Sequence, residues 1–81
     1  MDKNEIFTTV AKIINKALLE PKEILIEHNL KEDIGLDSIG YVELGTSLED
    51  IYNVDITDEQ VMAFETVADV VDMVLTSPTY A

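Results

Sequence analysis

Along the first eighteen residues, apolar side chains recur every three or four positions. Ile6, Phe7, Val10, Ile13, Ile14, Ala17 and Leu18 form one stripe, while Lys3, Thr8, Thr9, Lys12, Asn15 and Lys16 fill the other face. That spacing predicts an amphipathic helix. Pro21 stops it soon after, because proline lacks the N–H that a helix interior uses. From 20 to 37 the period is lost. Pro21, Asn29 and Gly35 punctuate this stretch, and Ile24, Leu25, Ile26, Leu30, Ile34 and Leu36 supply apolar anchors. It reads as a long connection pinned to the core, and connections of this length in a small domain are uncommon and often functional.

Helical spacing resumes at Asp37, a good N-cap, with Val42, Leu44, Leu48, Ile51 and Tyr52 following. Gly40 and Gly45 weaken this second helix by about 1 kcal/mol each relative to alanine, so tertiary packing has to compensate. The alternation in Tyr52-Asn53-Val54-Asp55-Ile56 fits a short extended stretch. Thr57 with Gln60 makes a capping box for a short helix carrying Val61, Met62 and Phe64. Thr66 with Asp69 repeats the signal more loosely before the stripe Val67, Val70, Val71, Val74 and Leu75. Pro78 ends that last helix. Met62 and Met73 are expected as core filler. The pattern predicts an all-α fold: a small four-helix bundle with a long loop between helices 1 and 2 and a short third helix. One domain spans 1–81, with 77–81 a frayed tail.

Composition narrows the chemistry. Seventeen acids face five lysines and no arginine across 81 residues, a net charge of −12. Such a field has the wrong sign for nucleic acid or for anionic membrane surfaces. With no cysteine there is no disulfide framework, thiolate nucleophile or cysteine-ligated zinc. At 47% hydrophobic the chain is too apolar for a disordered acidic tail, yet no apolar run is long enough for a membrane span. The first residues lack a signal-peptide pattern, so the expected compartment is the cytoplasm.

The charge is also unevenly placed. Residues 1–31 hold all five lysines and five of the acids, and residues 32–81 hold the other twelve acids and no base. A stretch without any base forgoes internal ion pairs and repels itself. A solvated surface is the ordinary explanation for acidity, but a surface so uniformly acidic also suits basic partners.

The most informative stretch is Gly35-Leu36-Asp37-Ser38-Ile39. It places a serine hydroxyl on the first turn of a helix, where free N–H groups and the dipole favour an attached phosphoryl group. An Asp-Ser pair is more often a plain helix cap. The surrounding residues change that balance. Asn29-Leu30-Lys31-Glu32-Asp33-Ile34-Gly35-Leu36-Asp37-Ser38-Ile39 resembles the loop and attachment motif of acyl carrier proteins. Val42-Glu43-Leu44 and Leu48-Glu49-Asp50-Ile51-Tyr52 are similar to that family's second helix. Asp55-Ile56-Thr57-Asp58-Glu59 and Phe64-Glu65-Thr66-Val67 resemble its third-helix region and the start of its fourth. The likeness runs without a gap from about 29 to 75.

The resemblance implies a non-catalytic carrier, expected as a monomer, with no catalytic residue and no metal site of its own. A phosphopantetheinyl transferase using magnesium would attach 4′-phosphopantetheine from coenzyme A to Ser38. The arm's thiol would then hold acyl groups as thioesters for acyl-transferring or condensing enzymes with basic docking patches, and the helical core would shelter them. The partner-facing residues implied are Asp37, Glu43, Glu49, Asp50, Asp58 and Glu59, with Ile39 and Val42 as exposed apolar contacts. Gly40 stands where the family often has a polar or acidic residue, and Gly45 and Thr46 where aliphatic residues are usual. These departures soften the second helix and make its recognition face less apolar. A specialised polyketide, modified-lipid or envelope carrier therefore stands beside one for fatty acid synthesis. An aminoacyl or peptidyl carrier of the same fold, or an acidic helical adaptor without modification, are the other readings.

Other chemistry finds little support. His28 is the single histidine, and no nucleophile elbow accompanies it, so it reads as an ordinary loop residue. A calcium loop starting at Asn53 would have Asp58 at the turn glycine and Phe64 at the bidentate glutamate, which rejects an EF-hand.

Overall fold

The computed structural model describes residues 3–18 and 20–76. Four helices follow in order: α1 Lys3–Ala17, α2 Ser38–Tyr52, α3 Asp58–Met62 and α4 Val67–Thr76. The fold is the expected all-α bundle, with a long first loop and a short third helix. Pro78 and the tail at 77–81 lie outside the described residues. α1 packs against both α2 and α4, and α3 packs against α2.

The core follows the stripes read from the chain. Ile6, Val10, Ile13 and Ile14 of α1 meet Leu44 and Leu48 of α2 and Val67, Val70, Val71 and Val74 of α4, all buried. Burying each of these side chains stabilises the fold by about 1.5–3 kcal/mol relative to leaving it in water. Some stripe positions face outward instead. Ile51 and Leu75 are exposed, because Leu48 with Tyr52, and Val71 with Val74, already take the inward slots of those turns. Met62 is exposed rather than core filler, since Val61 holds the single inward slot of the five-residue α3, while Met73 does pack on the core.

The first loop is tied down along its length. Ile24, Leu30, Ile34 and Leu36 are buried and Ile26 is partly so, while Leu25 faces solvent. Its polar groups are equally committed. Asn29 Oδ1 accepts from the N–H of Lys31 and Glu32, and Asp33 Oδ2 accepts from Asn29 N–H. The first amides of α4 donate to loop carbonyls: Val67 N–H to His28 O at 3.1 Å and Ala68 N–H to Ile26 O at 2.9 Å. Leu30 N–H returns a bond to Glu65 O at 2.8 Å, giving the isolated antiparallel bridge of Asn29 with Thr66. His28 is a structural loop residue whose Nδ1 accepts from Leu25 N–H.

Helix ends match the caps with one addition. Thr57 and Gln60 form the full capping box of α3, and at the start of α4 Thr66 Oγ1 accepts from Asp69 N–H while Asp69 Oδ2 accepts from Thr66 N–H. α2 ends at Asn53, whose left-handed backbone (φ 55) lets its N–H donate to Glu49 O, a cap that asparagine tolerates. The alternating residues after it form no strand. Val54 turns inward and Asp55 outward, but no neighbouring strand pairs with them among the described residues.

Candidate functional site

The site is built where the first loop hands the chain to α2. Asp37 has an extended backbone, and its Oδ1 accepts from Gly40 N–H at 2.8 Å, capping the helix. Leu36 is buried beneath it, with its N–H donating to Leu30 O at 2.8 Å. Directly after the cap, Ser38 is the first residue of α2. Its side chain is exposed and makes no hydrogen bond among the described residues. The hydroxyl is thus presented on a turn held by the Asp37 cap, beside a helix N-terminus that favours negative charge.

Tyr41, one turn further along, supports this end of the helix from inside. It is buried, its hydroxyl donates to Phe64 O at 3.4 Å, and Lys31 Nζ sits 5.9 Å from its ring centroid. Burial pushes the phenol pKa above its ordinary 10.0. Sequence reasoning missed Tyr41. It was legible as the first member of the inward stripe Tyr41, Leu44, Leu48 and Tyr52, had the period been started three residues after Ser38 rather than at Val42.

The two glycines of α2 have a different role from the one expected. Both are buried. Gly40 lies against Leu36, and Gly45 receives Val61 of α3. They allow close approach at a cost in helix propensity, and of the three departures Thr46 is the one that stays exposed on the face.

Asp37, Ser38, Ile39, Val42, Glu43, Glu49, Asp50, Asp58 and Glu59 are all exposed. At about 100° per residue, Ser38, Val42 and Glu49 share one stripe of α2, and Ile39, Glu43 and Asp50 share the next. Val42 and Glu49 meet Asp58 of α3 around one small cleft that Met62 also lines. Glu43 faces the opposite flank, toward Lys16 of α1. No group of three or more metal-ligating side chains occurs among the described residues.

Residues 5–74 match the family model described as the phosphopantetheine attachment site. An acyl carrier protein of Coprothermobacter proteolyticus is 35% identical over 75 residues, covering 91% of this chain and 92% of that one. The chain belongs to the acyl carrier protein family. Another acyl carrier protein, from Saccharopolyspora erythraea, is 36% identical over 76 residues, covering 93% of this chain and 80% of its own. The meromycolate extension acyl carrier protein of Mycobacterium leprae is 39% identical over 70 residues, covering 85% of this chain and 61% of its own.

The cofactor of this family is 4′-phosphopantetheine, and the residues present fit such a group. Ser38 offers an unencumbered hydroxyl, and Asp37 fixes the turn without covering it. No described helix is long and apolar enough to cross a membrane.

Proposed function

We propose that this acyl carrier protein holds acyl groups as thioesters on a phosphopantetheine arm attached to Ser38, and catalyses nothing itself. The observation that carries this reading is an exposed, unbonded serine on the first turn of α2, inside the segment that matches the family. Ser38 Oγ takes the phosphopantetheinyl group from coenzyme A on a transferase. The new P–O bond forms as the bond to adenosine bisphosphate breaks, and the hydroxyl proton passes to the transferase. The bound group supplies the thiol that a chain without cysteine lacks.

Partner enzymes of fatty acid, polyketide or specialised lipid synthesis would read the acidic face. Asp37, Glu43, Glu49, Asp50, Asp58 and Glu59 supply its charge, with Ile39 and Val42 as apolar contacts. Separate surface carboxylates contribute little to affinity, so together they act mainly on encounter rate and on partner choice.

The test is intact mass after incubation with coenzyme A, magnesium and a broad-specificity transferase. One phosphopantetheinyl addition is expected, and none with Ser38→Ala. An unmodified wild-type mass, or an addition that survives Ser38→Ala, would overturn the proposal; the former would favour an unmodified adaptor. The mass of the protein from its own host then separates acyl from aminoacyl cargo.

A further inference from the structure

A cleft of about 410 Å³ opens between the end of α1 and the part of the loop that leads into α2. Ala17 and Leu18 form one side, Ile34 and Leu36 the other, and the lining ends at Asp37, the neighbour of Ser38. Its charged groups are Glu20, Lys22 and Asp37. Lys22 is secured at two points. Its N–H donates to Asn15 Oδ1 at 2.9 Å, and its ammonium donates to Ile34 O at 3.2 Å. That bond occupies one of the three hydrogens an ammonium carries, leaving donors at the cleft wall. Glu20 adds an exposed acceptor, and the Asp37 carboxylate is engaged by Gly40 N–H.

Clefts of similar size also border α2, about 440 Å³ beside Ile13, Lys16 and Glu43 and about 390 Å³ beside Tyr41 and Phe64, but Asp37 lines neither. The cleft under Val42 and Met62 holds only about 40 Å³, with Val61 against Gly45.

Beyond its phosphodiester, a pantetheine arm is neutral. It has amide carbonyls that need donors, amide N–H groups that need acceptors, and a dimethyl-substituted carbon that favours an apolar wall. The cleft beside Asp37 offers all of these within one space. We propose that the resting phosphopantetheine arm folds back over Asp37 into this cleft. There Lys22 donates to an arm carbonyl, and Leu18 and Leu36 cover the dimethyl carbon. Lys22 is then a positioning residue for the arm. The inference rests on Ser38 being the attachment point.

Isotope-filtered NOE spectra on carbon-13-labelled protein bearing an unlabelled arm would test it, with intact mass taken on the same sample. Contacts are expected from the arm's geminal methyls to Ala17, Leu18 and Leu36, and Lys22→Met, which removes the donor, should abolish them while the amide spectrum of α4 stays in place. A fully modified sample whose arm contacts Val42, Val61 or Met62, or shows no contacts, would overturn the cleft and leave Ser38 standing. Unchanged contacts in Lys22→Met would overturn the role of Lys22. An unmodified mass would instead sink the reading of Ser38.

Discussion

Val61 of α3 rests on the bare backbone of Gly45 in α2: a Cβ built on Gly45 would lie 2.6 Å from Val61 Cγ2. The contact joins the serine-bearing helix to its short neighbour without an intervening side chain. It turns a residue of poor helix propensity into the seat of an interface.

Gly45→Ala should therefore destabilise the fold. Overpacking costs about 1–3 kcal/mol, and the better helix propensity of alanine returns about 1 kcal/mol. A net loss near ~1 kcal/mol is expected in urea unfolding. The informative variant is the double one: Val61→Ala should cost less in the Gly45→Ala background than alone, since it removes the atom in conflict. Strict additivity would show that α3 moves away freely.

Asp37 caps α2 and also carries a charge on the proposed docking face. Asp37→Ala removes the cap on Gly40 N–H and should cost about 1 kcal/mol. Asp37→Asn keeps an acceptor at the cap and removes only the charge, so its stability should stay close to wild type. If the proposed docking face is right, Asp37→Asn slows association with a basic partner enzyme, read by stopped-flow at low salt. Equal stability losses in both variants would show that the charge, not the hydrogen bond, holds the turn.

Tyr41 sets an alkaline limit. Its folded pKa is raised by burial above the ordinary 10.0, so below that pH both folded and unfolded states keep the proton and its contribution is intact. As pH rises through that value the unfolded chain loses the proton more readily, and stability falls. Tyr41→Phe should flatten this alkaline decline in urea titrations run on both sides of the transition. An equally steep decline in the variant would assign it to other groups.

Self-repulsion should be visible in salt. Twelve acids and no base lie in residues 32–81, and screening lengths shrink from about 30 Å at 0.01 M to about 8 Å at 0.15 M salt. The melting temperature should rise over that range, and further with magnesium. A flat response would show that the acids are too widely spaced to strain the fold.

How much of this was legible in the chain depends on what each residue answers to. Period and caps are local, so the four helices, the capping box at Thr57 and the exposed serine turn could be read directly. The anchors of the first loop were also visible as apolar positions, although Leu25 shows that such a position can still face water. What escaped was decided by which groups packing brings together, whether near or distant in sequence. Gly40 and Gly45 look like weak points until Leu36 and Val61 arrive against them, and Met62 looks buried until Val61 takes its place. Tyr41 gains its role from the Phe64 carbonyl, and the left-handed turn of Asn53 from the carbonyl of Glu49. The acidic residues were named correctly as exposed, but only the contact of α2 with α3 gathers Val42, Glu49 and Asp58 around one cleft.

The bonds from Val67 and Ala68 to the carbonyls of His28 and Ile26 also make the loop before Ser38 depend on the last helix. A chain that lacks residues 65–68 holds Ser38 but none of these partners. In such a chain the loop leading to the serine is not held by the fourth helix. If Ser38 carries the arm as proposed, its modification should need these residues in place, and chains cut short before them should be poor transferase substrates.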